Sequence, residues 1–340
     1  MTSFPLSRVL GLVSGAVVSL PNSVLDRLPI DRPEIDGQRL SPRLQLATDA
    51  ARQLIAVVDR RPGPLTRYVA NVATAATSFR YQRAVPCRDI EIAAQDRTIS
   101  ARLYEPSDVA EPAPLVVFVH GGGFIFGNLE SHDGPCAYLA ANAKVKVLSV
   151  DYRLAPESPF PAGFEDALAA YRWGIQHADE ISVDRDRVAV AGDSAGGSIA
   201  AAVALHVGDT SDAAKLAVLL YPYVDDDIDR YPSTNLFTAP LSRASLDKAR
   251  RQYTPDLASR SDPRAFVMRS EELSAMPCTY IAVAGVDVLR DQDEAFGSRL
   301  GDRVVVRRFD NLPHGFLNLL FDAEVRRAVD EIATYIAEHL

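Results

Sequence analysis

The chain has 340 residues, 47 % of them hydrophobic, with 45 acidic against 36 basic side chains and a formal net charge of −9. That length buries a substantial core, either as one large α/β domain with an appendage or as two domains. The acidic balance argues against a nucleic-acid partner and offers no basic patch to an anionic membrane, so small molecules are the expected ligands.

Three widely separated cysteines, Cys87, Cys136 and Cys278, suggest neither a disulfide framework nor a metal site. Cys278, leading into an apolar strand, is expected to be a buried small hydrophobe. Val9 to Leu20 is a short apolar run with a poorly charged lead and no small-residue cleavage site, and it is too short to span a bilayer. It reads as an amphipathic helix, in a cytoplasmic protein without integral membrane association.

From Met1 to about Tyr81 the pattern is helical, with Leu44, Ala47, Ala50, Ala51, Leu54, Ile55 and Val58 at helical spacing between proline-rich connectors. Such a layer must bury its apolar face on another domain, which makes it a cap. Strands begin with two alternating runs, Asp89 to Ile92 and Thr98 to Tyr104, patterned as a half-exposed hairpin. More apolar strands follow at Leu115 to Val119, Val145 to Val150, Val188 to Ala191, Leu216 to Leu220, Thr279 to Ala284 and Arg303 to Phe309. Helical stretches at Ala137 to Ala143, Gly163 to Ala178 and Ala195 to Val207 separate several of them, and this alternation calls for a mostly parallel sheet covered on both faces. Between Tyr221 and Arg264 the alternation lapses apart from one charged helical segment, Arg243 to Tyr253. An insertion of that length is expected to join the N-terminal helices as a lid.

Arg187 to Val207 reads as strand, tight turn and helix around Gly192-Asp193-Ser194-Ala195-Gly196-Gly197. A serine there is forced into a strained conformation at the head of a helix, and the Ala195 N–H sits at the positive end of the helix dipole. The phosphate-loop signatures, a Lys-Ser/Thr pair or G-x-G-x-x-G, are missing. His120-Gly121-Gly122-Gly123-Phe124 follows a strand and frees backbone N–H groups to meet a developing oxyanion. Of six histidines, His314 follows the last strand and reaches the same sheet edge as Ser194. Asp287, first past its strand, is expected to orient that histidine, whereas Asp291 and Asp293 suit the first turn of a helix. Two other features are expected to be structural. Arg153 and Glu157 form an ion pair that holds their loop, and Asp225, Asp226, Asp227 and Asp229 form a solvated turn, lacking the histidines or calcium-loop spacing of a metal site.

The order Ser194, Asp287, His314 is that of the α/β-hydrolase fold. Together with Asp151-Tyr152-Arg153-Leu154-Ala155-Pro156-Glu157, Asp287-Val288-Leu289-Arg290-Asp291 and His314-Gly315-Phe316, the set resembles the bacterial hormone-sensitive-lipase family of carboxylesterases over about residues 80 to 340. The resemblance implies an eight-stranded sheet flanked by helices, in a catalytic domain over 81–340 with cap segments at 1–80 and about 222–265. It implies Ser194 as nucleophile, His314 as base, Asp287 as orienting acid, and Gly122, Gly123 and Ala195 as oxyanion donors. A cap of mixed apolar and charged residues without a long hydrophobic lid suggests soluble short-to-medium acyl esters as substrates, and the chemistry requires no cofactor or metal. The same triad could serve an amidase, a lactonase or a deacetylase, and a binding protein on a hydrolase scaffold is the rival from another class. The strand near Arg303 to Phe309 lies at an edge, so monomer and homodimer are both open.

Overall fold

The structure, a computed structural model, describes residues 22–340 apart from 26, 28, 61, 62 and 95; the apolar run Val9 to Leu20 lies outside the described residues. A four-residue helical turn, Asn22–Leu25, is followed by two longer helices. α1 (Pro42–Arg60) begins where Ser41 Oγ accepts the Leu44 N–H, and α2 (Pro64–Thr77) has proline at its first position, where no backbone donor is needed.

β1 (Cys87–Ala94) and β2 (Arg97–Tyr104) form an antiparallel hairpin in which Cys87 faces Tyr104. The chain then alternates through β3 (Ala113–Val119), α3 (Asp133–Ala143), β4 (Lys146–Val150), α4 (Ala162–Gln176), β5 (Val183–Asp193), α5 (Ala195–Val207) and β6 (Leu216–Leu220). After an excursion that contains α6 (Arg243–Tyr253), it closes with β7 (Cys278–Val286), α7 (Arg290–Leu300), β8 (Val304–Pro313) and α8 (Ala323–His339). The spatial order is β1-β2-β4-β3-β5-β6-β7-β8, parallel from β4 to β8. This is the mostly parallel eight-stranded sheet that the sequence predicts. Every residue of β3, β4 and β6 is buried, because helices cover both faces, and all but Lys146 and Ser149 of β4 are apolar.

The strand order places the functional loops. From β3 the chain crosses to β4 on one side and returns to β5 on the other, so the loops after β3 and β5 leave the same sheet edge side by side. The segments after β7 and β8 leave at that edge too.

Three local expectations are corrected. Cys278 is exposed, because it is the first residue of β7 at the opposite sheet edge. Arg153 and Glu157 do not pair with each other. The carboxylate of Asp166 on α4, 1 % exposed, takes Arg153 (Nε to Oδ2, 2.9 Å), and Glu157 instead meets Arg67 of α2. The Asp225–Asp229 turn is solvated only in part: Asp227 and Asp229 are exposed, but its first two carboxylates are not. Asp225 and Asp226 are buried; Asp225 accepts the Tyr231 hydroxyl at 2.6 Å and Asp226 pairs with Arg269 at 2.6 Å. No cluster of potential metal ligands occurs among the described residues.

Candidate active site

The turn between β5 and α5 is tight for a steric reason. A Cβ on Gly192 would stand 2.5 Å from the Gly196 backbone, and one on Gly196 would stand 2.1 Å from Val119 O and 2.4 Å from His120 O. Only glycines let strand, helix and the end of β3 come this close. Ser194 at the apex has φ 52°, a conformation that L-residues adopt at a penalty. Its N–H donates to Leu220 O at 2.8 Å and its carbonyl accepts the Tyr223 N–H at 3.2 Å, so bonds to β6 and beyond hold the strained residue in place.

His314 follows β8 directly. Its Nε2 lies 2.9 Å from Ser194 Oγ and its Nδ1 lies 2.6 Å from Asp287 Oδ2. Asp287 is 1 % exposed, and its other oxygen accepts the Leu289 N–H at 3.0 Å, which fixes the carboxylate plane. The Tyr221 ring meets the His314 ring edge-on at 4.9 Å, and the Tyr221 hydroxyl accepts the Leu317 N–H at 3.2 Å. The structure thus brings together the serine, histidine and aspartate singled out from sequence. Asp291 sits in the first turn of α7, where its carboxylate accepts the Ser233 N–H at 2.7 Å.

The glycine loop after β3 faces the serine. Gly122 has φ +125°, and a Cβ there would collide with Phe126 O at 2.0 Å. Its carbonyl accepts the Ile125 and Phe126 N–H groups, both at 3.0 Å, while the N–H groups of Gly122 and Gly123 have no acceptor among the described residues. Gly122, Gly123, Ala195, Ser194 and His314 share the floor of one cavity of about 720 Å³. Its walls are mostly apolar: Leu46, Leu54 and Val58 of α1, Ala73 of α2, Leu246 and Ala249 of α6.

Sequence reasoning missed the layer beneath this floor. Asp193 Oδ1 accepts the Gly121 N–H at 2.7 Å and lies 3.2 Å from His132 Nε2, with both side chains buried. Burial pushes the Asp193 carboxyl up, but the attraction of His132 and the hydrogen bonds from His132 and Gly121 outweigh it and hold the group below the usual carboxylate range. His120 is fully buried and stacks on Tyr152 at 4.4 Å; burial first, then the proximity of His132, drives it down to about 3, so it stays neutral. The available signal was position: Asp193 adjoins the serine, and His120 and His132 flank the glycine loop. Ser198 Oγ donates to Ala265 O at 3.3 Å and ties α5 to the end of the excursion.

This arrangement suits transfer of an acyl group through a serine, since a hydroxyl, an oriented imidazole and two-sided N–H donors converge beside an apolar cavity. Known proteins agree. A family model for the alpha/beta hydrolase fold matches residues 116–318. The carboxylic ester hydrolase LipN of Mycobacterium tuberculosis is 35 % identical, over 90 % of this chain and 87 % of LipN. An ethyl acetate hydrolase of Pseudomonas putida is 34 % identical over 68 % of this chain and 76 % of its own. Among solved structures, an esterase of Pyrobaculum calidifontis superposes with a TM-score of 0.72 at 33 % identity, covering 85 % of this chain and 97 % of that one. Esterase LipW of Mycobacterium marinum reaches 0.76 at 28 % identity, covering 88 % and 96 %. With relatives of this kind along most of its length, the chain belongs to the alpha/beta hydrolase fold family, as a hormone-sensitive-lipase-like carboxylic ester hydrolase.

Proposed function

We propose that Ser194 is the nucleophile, His314 the general base, Asp287 its orienting acid, and that the N–H groups of Gly122, Gly123 and Ala195 stabilise the oxyanion. The observation that carries this reading is the pair of contacts through one imidazole, 2.9 Å to Ser194 Oγ and 2.6 Å to Asp287 Oδ2. Ser194 Oγ attacks the ester carbonyl while His314 Nε2 takes its proton. The tetrahedral intermediate collapses, the C–O bond to the alcohol breaks, and the alcohol leaves with the proton from His314. Water then gives a proton to His314 as its hydroxyl adds to the acyl carbon; the bond from that carbon to Ser194 Oγ breaks, Oγ takes the proton back from His314, and the acid is released.

We read residues 1–80 and about 222–265 as the cap and 81–340 as the catalytic domain. The placement of α1, α2 and α6 around the cavity supports this division. An apolar cavity of about 720 Å³ and the ethyl acetate hydrolase among the relatives both favour soluble short-to-medium acyl esters.

A panel of p-nitrophenyl esters of increasing acyl length, run beside Ser194→Ala with its folding checked by circular dichroism, tests the reading. The parent should hydrolyse the shorter esters, and the variant should lose about 10⁵-fold or more in kcat. Comparable turnover by the variant would remove Ser194 from the mechanism.

A further inference from the structure

α2 touches two of the loops that the chemistry depends on, the oxyanion loop after β3 and the turn that carries His314. Asn71 Oδ1 accepts the Gly127 N–H at 2.9 Å. Gly127 ends the oxyanion loop and closes onto its start: a Cβ there would stand 2.3 Å from His120 Nδ1 and 2.4 Å from Gly121 O. A bond to Gly127 therefore holds both ends of the loop at once. One turn earlier, Arg67 Nη2 donates to Ala155 O at 2.7 Å, and the Ala155 N–H donates to Phe124 O at 2.8 Å, a second tie to the same loop. At the other end of α2, Thr77 Oγ1 lies 2.7 Å from Asn318 O and also 2.7 Å from Thr74 O, so one proton is shared between two carbonyls. Asn318 closes the turn that follows His314, its N–H donating to Gly315 O at 3.2 Å.

Asn71 and Thr77 are six residues apart, about 9 Å along a helix. A helix is stiff over that distance, whereas the loops it joins are not. Ester hydrolysis needs the oxyanion donors and the imidazole at a fixed separation, and a displacement of about 1 Å in such an arrangement costs up to about a hundredfold in rate.

We propose that α2 is a strut of the catalytic machinery as well as a wall of the cavity: Asn71 and Thr77 are positioning residues that set the oxyanion loop and the histidine turn relative to each other. The inference rests on the roles assigned to Ser194, His314 and the glycine loop. It differs from a wall in its kinetic signature. A wall residue acts on KM and acts most on long acyl chains, which reach it. A strut acts on kcat and acts equally on the smallest ester.

The full chain and its variants are assayed with p-nitrophenyl acetate and p-nitrophenyl octanoate. Asn71→Ala and Thr77→Val should each lower kcat about tenfold on both esters, with KM within about twofold. The conservative partners Asn71→Asp, which keeps an acceptor, and Thr77→Ser, which keeps the hydroxyl, should stay within about threefold of the parent. Parental kcat on acetate with a raised KM on octanoate would overturn the inference and leave α2 as a wall. Equal losses in the conservative and the disruptive members of both pairs would overturn it too, since the named bonds would then not be the cause. Should Asn71→Ala fail to fold, Thr77→Val against Thr77→Ser decides alone, because valine keeps the shape of threonine. Ser194→Ala separates the two levels: if it retains hydrolysis the catalytic assignment fails, and if it is inactive while the α2 variants keep parental kcat only the strut fails.

Discussion

Asp287 and Asp293 lie six residues apart, at the end of β7 and in the first turn of α7, and both are buried at 1 % exposure or less. Their surroundings differ in kind. Asp287 has an imidazole on one oxygen and a backbone N–H on the other. Neither oxygen of Asp293 has a hydrogen-bond partner among the described residues. Burial pushes the Asp293 carboxyl well above its ordinary range, and repulsion from Asp287 and Glu294 adds to the effect, both favouring its neutral form. Burial alone therefore does not make an orienting acid. What separates the two is whether donors are aimed at the carboxylate, and two substitutions test that difference.

The larger effect belongs to Asp287→Asn. An amide in this place presents an N–H to the imidazole and favours the wrong tautomer, so kcat should fall about 10⁴-fold while the melting temperature stays near that of the parent. A loss under about tenfold would strip Asp287 of its role and reopen the choice of acid.

Asp293→Asn should leave kcat almost unchanged and alter the pH dependence of stability instead. The folded protein keeps the Asp293 proton above the pH at which the unfolded chain, near an ordinary value of about 3.9, has lost it. The unfolded state then binds fewer protons than the folded state, and stability falls as pH rises from that value towards the raised one. Asparagine does not titrate, so the variant should gain on the parent with rising pH, by on the order of 3 °C in melting temperature at pH 8 relative to pH 4. Melting curves that stay parallel across that range would show that Asp293 ionises at an ordinary pH.

The same contrast explains what could be read in the chain. The strands, the serine turn and α5 rest on local constraints: runs of apolar residues, glycines where a Cβ would collide, and small residues after Ser194. Asp287 was legible because it stands first past a strand. Most of the features misread, or not read at all, depend on partners distant in sequence. Asp226 meets Arg269, 43 residues on, and Arg153 meets Asp166 across the turn into α4. Thr77 reaches Asn318 across 241 residues and Asn71 reaches Gly127 across 56. No spacing rule announces such pairs, since folding alone brings them together. Asp293 was expected to face the helix dipole, and its full burial follows from the way α7 packs on the sheet rather than from its neighbours in the chain.

The positions of Ser194 and His314 in the sheet carry a consequence for how the enzyme fails. Ser194 heads α5, which is buried along almost its whole length behind the central strands. His314 hangs from β8, an edge strand with one neighbour, Val305 and Val306 open to solvent and a mostly exposed run from Val305 to Arg308. Partial opening that starts at this margin detaches the proposed base while the proposed nucleophile stays seated. Amide hydrogen exchange should release β8 before α5, and half-inactivation on mild warming should precede the loss of the sheet. Exchange that proceeds at one rate in both elements would make the loss of activity and of structure a single event.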